Sequence, residues 1–170
     1  MEPWRVLLRY GPKGKPEVAG DSSRRRLRFN VSHSHGLALY AVTYDLEIGV
    51  DVERIRLDLD SEKIPERFFS PREAAALREL PAEVRQEAFY TCWTRKEAHL
   101  KAIGKGITLR LDQFEVSLTP GEPAALLSIH GDPKGASHWS LKALDLGPGY
   151  AGAIAVKGHG WNLECWQWEE

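Results

Sequence analysis

The chain has 170 residues, enough for one domain or a compact pair of subdomains, and its 42% hydrophobic content supports a packed core rather than disorder. Lys and Arg (23) nearly balance Asp and Glu (24), so there is no general drive toward nucleic acid or a membrane surface, and any phosphate site must be a local cluster. No apolar run is long enough to span a bilayer and no charged-then-apolar segment opens the chain, which makes a cytoplasmic location the expectation.

Residues 11–26 are rich in Gly, Pro and charge, from Gly14-Lys15-Pro16 to Arg24-Arg25-Arg26, and predict a turn-rich lead-in. Strands are expected from Arg28 to Ser32, from Leu37 to Val42 and from Ile48 to Glu53, with the turn before the third at Tyr44-Asp45. Ser70-Pro71-Arg72-Glu73 is a capping box with Pro at the first helical position, and that helix should run to about Leu80, before Pro81. A longer helix should start near Ala82, carry Val84, Ala88, Phe89, Cys92, Trp93 and Leu100 at helical spacing, and stop at Gly104. Further strands are expected from Phe114 to Leu118, Ala125 to His130, Trp139 to Asp145, Tyr150 to Val156 and Leu163 to Trp168. Strands, two main helices and strands again describe an α+β domain with a mostly antiparallel sheet. The two cysteines, Cys92 and Cys165, offer neither a disulfide framework nor metal-knuckle spacing and suit buried thiols.

Four segments can carry chemistry. In Asp51-Val52-Glu53 the acidic side chains share one face of a strand, where they repel and raise each other's pKa unless a cation sits between them. Such a pair suits a hard divalent ion, and equally a solvated strand edge. Glu97 and Lys101 share a helical face with Trp93 one turn earlier, which fits either a surface ion pair or an acid tuned in a cleft. The turn-forming run Asn30-Val31-Ser32-His33-Ser34-His35 can bind phosphate oxygens through hydroxyls, imidazoles and amides. No Cys or further His lies at ligand spacing, which argues against zinc, and His35 also suits a structural role. Gly14-Lys15-Pro16 is by itself only a turn, and the basic stretch Arg24-Arg25-Arg26 with Arg28 reads as solvated or as a hold on a phosphate or acidic partner.

In this order, Gly14-Lys15-Pro16, Asn30-Val31-Ser32-His33-Ser34, Gly49-Val50-Asp51-Val52-Glu53 and Trp93-Thr94-Arg95-Lys96-Glu97-Ala98-His99-Leu100-Lys101 resemble the motifs of the surfactin-type 4′-phosphopantetheinyl transferases and their holo-acyl-carrier-protein synthase relatives. Arg67-Phe68-Phe69-Ser70 also looks like that family, and the resemblance covers about residues 11–156. It implies transfer of the phosphopantetheine arm of coenzyme A to a serine of an apo carrier protein (acyl, peptidyl or aryl), releasing 3′,5′-ADP. Asp51, Glu53 and Glu97 would hold Mg²⁺, with Mn²⁺ an alternative. Lys15, Ser32, His33, Asp51, Lys96 and Lys101 would contact coenzyme A. Lys101 would stabilise developing charge, and Glu97 would take the proton of the attacking serine. The loop before Ser70 and the helix it opens would help to dock the carrier.

Such enzymes usually have two similar halves with coenzyme A between them. On this reading residues 1–26 are a remnant of a first half and residues 27–170 form one α+β domain. The chain would then be a fragment, a shortened member that forms homo-oligomers, or an inactive relative. Two other functions remain open at this point: a non-catalytic protein that binds coenzyme A or a carrier, and a metal-dependent phosphohydrolase using the same carboxylates. Nucleic acid and membrane are not expected partners.

Overall fold

The computed structural model describes residues 5–12, 14–19, 25–56, 63–104, 110–119 and 121–168. Four of these stretches matter for the site: an N-terminal strand pair, a long hairpin, a central sheet, and the helix that lies on it. The hairpin joins β3 (Leu27–Ser34) to β4 (Leu37–Tyr44) in a continuous antiparallel register, Leu27 opposite Tyr44 and Ser34 opposite Leu37. Its reversal at His35-Gly36 has positive φ at both residues (44° and 83°), and Gly36 takes that conformation without steric cost. The central sheet has the order β5-β9-β8, all antiparallel, with β5 (Ile48–Arg54), β8 (Trp139–Ala143) and β9 (Tyr150–Lys157).

The two-residue period of β5 divides its side chains. Ile48 and Val50 point into a core cluster with Ala41, Ile154 and Val156, over which Leu39, Trp161 and Leu163 pack. Gly49, Asp51 and Glu53 occupy the opposite face, and their register partners on β9 are Ala155, Ala153 and Ala151. Those alanines belong to the larger core with Ala98 and Ala102 of α3. α3 (Ala82–Ile103) packs across β5 and β9. It comes so near that a Cβ on Gly49 would lie 2.1 Å from the Ala98 carbonyl oxygen and 2.3 Å from the Ala102 nitrogen. Glycine on the strand and alanine on the helix are therefore what let helix and sheet meet at this separation.

The predicted capping box is present and extends further than its sequence indicates. In α2 (Pro71–Glu79), Ser70 Oγ accepts from the Glu73 amide at 3.2 Å and Glu73 Oε2 accepts from the Ser70 amide at 3.0 Å. Glu73 Oε1 also accepts from the Val116 amide at 2.9 Å, which ties α2 to β6 (Phe114–Val116). β6 pairs with β7 (Leu126–Ile129). Phe69 stacks on Phe89 and Trp93 packs tilted against both, with ring centroids 5.6–6.2 Å apart; the cluster seats the loop before α2 against α3, each aromatic pair contributing about 0.5–1.5 kcal/mol beyond its burial. α3 ends as expected at Gly104, in the left-handed conformation (φ 63°).

Three expectations about secondary structure need correction. The lead-in is more than turns: β1 (Leu8–Tyr10) and β2 (Pro16–Val18) pair antiparallel, and Arg28 Nη1 bonds Glu17 Oε1 at 2.8 Å to hold the pair to β3. A short helix, α1 (Lys63–Phe68), precedes the capping box and was not expected. The strand from Leu163 to Trp168 does not form. Both edges of β9 are already paired, so the tail packs through the side chains of Trp161 and Leu163 instead of a ladder, and Trp166 and Trp168 stand exposed. Arg24 lies outside the described residues. No helix among the described residues is long and apolar enough to cross a membrane.

Candidate active site

The close approach at Gly49 has a chemical consequence one step along the strand. Asp51, on the same face, meets the end of α3, and its Oδ1 lies 2.6 Å from Lys101 Nζ. Ser32 of β3 completes the contact: its hydroxyl donates to Asp51 Oδ1 at 3.0 Å and accepts from Lys101 Nζ at 2.9 Å. The other oxygen of Asp51, Oδ2, is buried with no hydrogen-bond partner among the described residues. Burial raises the Asp51 carboxyl from 3.8 to about 6, opposed by Lys101 and the Ser32 hydroxyl and reinforced by the neighbouring Glu53 charge.

Glu97 sits one turn before Lys101 on α3. Burial again pushes its carboxyl above the ordinary glutamate range, Lys101 lowers it, and the Glu53 charge raises it further. Asp51 and Glu97 therefore each feel the same two charges, the Lys101 ammonium and the Glu53 carboxylate. Among the described residues, no group of three or more His, Cys, Asp or Glu side chains closes on one point as a complete metal cage. What the arrangement offers is one open buried oxygen, Asp51 Oδ2.

Glu97 and Lys101 line a cavity of about 700 Å³. Phe68, Trp93, Leu100 and Leu111 supply much of its apolar wall, while Lys15, Arg67 and Arg110 add cationic groups. Trp93, Glu97 and Lys101 share one side of α3, and that side faces the cavity. Asp51 and Glu53 are not lining residues; Lys101, which is, reaches from the cavity to Asp51.

The remaining predicted coenzyme A contacts behave differently. Lys96 is fully buried, ion-paired with Glu73 Oε2 at 2.7 Å and bonded to the carbonyl oxygens of Leu111 (2.7 Å) and Phe114. An ammonium has three donors, and all of them are used in the core, so the expectation that Lys96 binds the cofactor is corrected to a structural role. Lys15 lines the cavity, but its ammonium is held by Glu47 Oε2 (3.1 Å), Ile48 O (3.2 Å) and Ala102 O (2.6 Å), where it caps the last turn of α3. His33 is exposed on the face of β3 opposite Ser32, the face it shares with Val31. The basic stretch is neutralised locally: Arg25 pairs with Asp45 and Arg28 with Glu17 and Glu47.

Sequence reasoning missed one working part. Asn30, Ser32 and Ser34, alternate residues of β3 and all buried, accept from the backbone amides of Val50 (2.9 Å), Val52 (3.2 Å) and Arg54 (3.1 Å). The constant offset means β3 runs alongside β5 in parallel, with side chains in place of a backbone ladder. The signal is the two-residue period of Asn30, Ser32 and Ser34 along the strand.

Comparison with known proteins agrees with this geometry. Residues 47–155 match the family model of the 4′-phosphopantetheinyl transferase superfamily. The chain is 42% identical over 168 residues to the 4′-phosphopantetheinyl transferase HetI of Nostoc sp., covering 99% of this chain and 68% of that protein. It is 36% identical over 155 residues to the 4′-phosphopantetheinyl transferase psf-1 of Bacillus pumilus, covering 90% of this chain and 61% of that one. This chain thus spans about two thirds of the length of these relatives. The fold also matches the crystal structure of holo-(acyl-carrier-protein) synthase from Thermotoga maritima, with a TM-score of 0.53 at 22% identity over 66% of this chain and 62% of that one. With more than half its length inside the family model, and with the acidic strand and the Glu97–Lys101 helix face meeting as described, the chain belongs to the 4′-phosphopantetheinyl transferase superfamily.

Proposed function

We propose that the protein transfers the 4′-phosphopantetheine arm of coenzyme A to a serine hydroxyl of an apo carrier protein and releases 3′,5′-ADP. Family membership supports the reaction class. The observation that carries the reading to named residues is the Asp51 carboxylate, one oxygen gripped by Lys101 and Ser32, the other buried and open. A buried, unpartnered carboxylate oxygen is costly, and a cation beside it removes the cost.

The donor set fits Mg²⁺, a hard ion that commonly takes one or two carboxylates and fills the remaining positions with water and substrate phosphate oxygens. Asp51, Glu53 and Glu97 would hold it, and Mn²⁺ suits the same oxygens. Bound there, the ion would supply Lewis-acid polarisation of the phosphate oxygens.

The chain's own groups divide the rest of the work. Burial brings the Glu97 carboxyl nearer to ambient pH, which suits it to take the proton of the attacking serine. The serine oxygen bonds to the phosphorus carrying the pantetheine arm. The phosphoanhydride P–O bond breaks, and its electron pair leaves on 3′,5′-ADP. Lys101, on the cavity wall, offsets the charge that develops on the departing phosphate. The apolar wall from Phe68 to Leu111 suits the pantetheine arm, and Arg67 and Arg110 suit phosphates.

Self-association and a cytoplasmic location belong to the same proposal. Tyr40, Val42 and Tyr44 stand exposed on one face of β4, an apolar strip of the kind subunit contacts cover. Light scattering across a dilution series tests this, and a constant monomer mass counts against it.

The reaction itself is tested by incubating the protein with coenzyme A, Mg²⁺ and a panel of apo carriers. A carrier mass increase equal to the phosphopantetheine arm supports transfer. Coenzyme A binding without any mass increase would reduce the protein to a binding homologue, and phosphate release from simple phosphoesters without a carrier would favour a hydrolase.

A further inference from the structure

The serines of β3 do the same thing twice. Ser32 Oγ accepts from the Val52 amide at 3.2 Å and donates to the carboxylate of Asp51, the residue just before it. Ser34 Oγ accepts from the Arg54 amide at 3.1 Å and donates to Glu53 Oε2 at 3.1 Å, again the residue just before. A longer contact of 3.4 Å runs between Ser34 Oγ and His35 Nδ1. Each hydroxyl reads one backbone position of β5 and, from it, fixes the side chain one residue back. A hydroxyl has one proton and two lone pairs. In Ser32 all three are committed, to Asp51, Val52 and Lys101, so the group has nothing left for a nucleotide phosphate.

We infer that Ser32 and Ser34 are positioning residues that hold the Asp51 and Glu53 carboxylates in place for the divalent ion, rather than contacts of the nucleotide. The inference rests on the metal-dependent transfer proposed above. Geometry supports it independently of any titration: the donors are aimed at the two acidic side chains, both serines are buried, and the amides they accept from are those that fix the register between β3 and β5. A hydroxyl that donates to a ligating carboxylate orients that ligand, and loss of such a partner typically costs about 10–100-fold in metal affinity.

The experiment measures Mn²⁺ binding to the full chain without substrate, alongside the steady-state constants for coenzyme A, in S32A, S34A, S32T, S34T, E53Q and the double variant S34A/E53Q. Thermal unfolding accompanies each variant, and S34A carries the test if S32A does not fold. The expected result is Mn²⁺ binding weakened about tenfold in each Ser→Ala variant, largely restored by Thr, with the KM for coenzyme A, measured at saturating Mn²⁺, changed by no more than roughly twofold. The S34A effect should vanish when Glu53 is already Gln, because the serine acts through that side chain. Unchanged Mn²⁺ affinity in both Ala variants, or a raised KM for coenzyme A at unchanged Mn²⁺ affinity, overturns the inference, as does a wild-type chain that binds no Mn²⁺. A wild type that binds Mn²⁺ with the expected serine dependence yet modifies no carrier sinks the proposed reaction and leaves the positioning role standing. Transfer with serine-independent Mn²⁺ binding does the reverse.

Discussion

The Lys101 ammonium lies 2.6 Å from one oxygen of Asp51, while the other oxygen of the same carboxylate is buried without a partner among the described residues. The lysine compensates one side of a buried charge and leaves the other side open. Such a carboxylate is a liability to the protein alone and an asset once a cation is present.

That liability predicts a trade between stability and function. Asp51 titrates near 6 in the folded chain against an ordinary 3.8, so the native state binds a proton that the unfolded chain has released. Its contribution to stability is complete below about pH 4 and is lost as the pH rises through about 6. In metal-free protein, D51N should therefore raise stability at pH 7.5 by on the order of 1–3 kcal/mol and have little effect at pH 4. Transfer should be lost. Denaturant midpoints at the two pH values, read beside a carrier-mass assay, check both halves.

Glu97 is expected to matter for rate more than for fold. E97Q keeps the shape and removes the proton acceptor, so the transfer rate should fall by about 10²–10⁴-fold while the unfolding midpoint holds or rises slightly. Single-turnover transfer and thermal unfolding separate the two. A rate within tenfold of wild type would remove Glu97 from the role of base.

Gly49→Ala should cost about 3 kcal/mol or more, because the new methyl would meet the backbone of α3 at Ala98 and Ala102 rather than a movable side chain. Any folded remainder should also lose transfer, since the helix that carries Glu97 and Lys101 must move off β5. Urea unfolding followed by circular dichroism gives the first quantity.

Lys96→Met should cost about 3–5 kcal/mol by stranding the buried Glu73 charge, and the double variant E73Q/K96M should recover much of that loss. The KM for coenzyme A should be unchanged in both. A KM effect without a stability effect would return Lys96 to the cofactor site.

Much of this was legible from local chemistry. The Ser70–Glu73 capping box, the Gly104 stop and the two-residue period of β5 are short-range rules, and all three hold in the structure. Residues that act over long sequence separations were harder to read. Lys96 and Lys101 lie on the same helix and look alike as cationic groups, yet one enters the core beside Glu73 and the other reaches Asp51. The helix face that each lysine occupies is decided by packing against β5 and β6. The motif implies a coenzyme A contact for Lys15, whereas its ammonium is consumed by Glu47, Ile48 and Ala102. The tail from Leu163 to Trp168 has strand-like composition, and only the sheet topology reveals that β9 has no free edge for it.

The proposed transfer requires a divalent ion against the open oxygen of Asp51. A crystal of the chain grown with coenzyme A and Mn²⁺ locates the ion by its anomalous scattering. One peak is expected, bounded by the carboxylates of Asp51, Glu53 and Glu97 and by the diphosphate of coenzyme A. Coenzyme A bound in the cavity with no ion among those carboxylates, or an ion held elsewhere, would contradict that requirement.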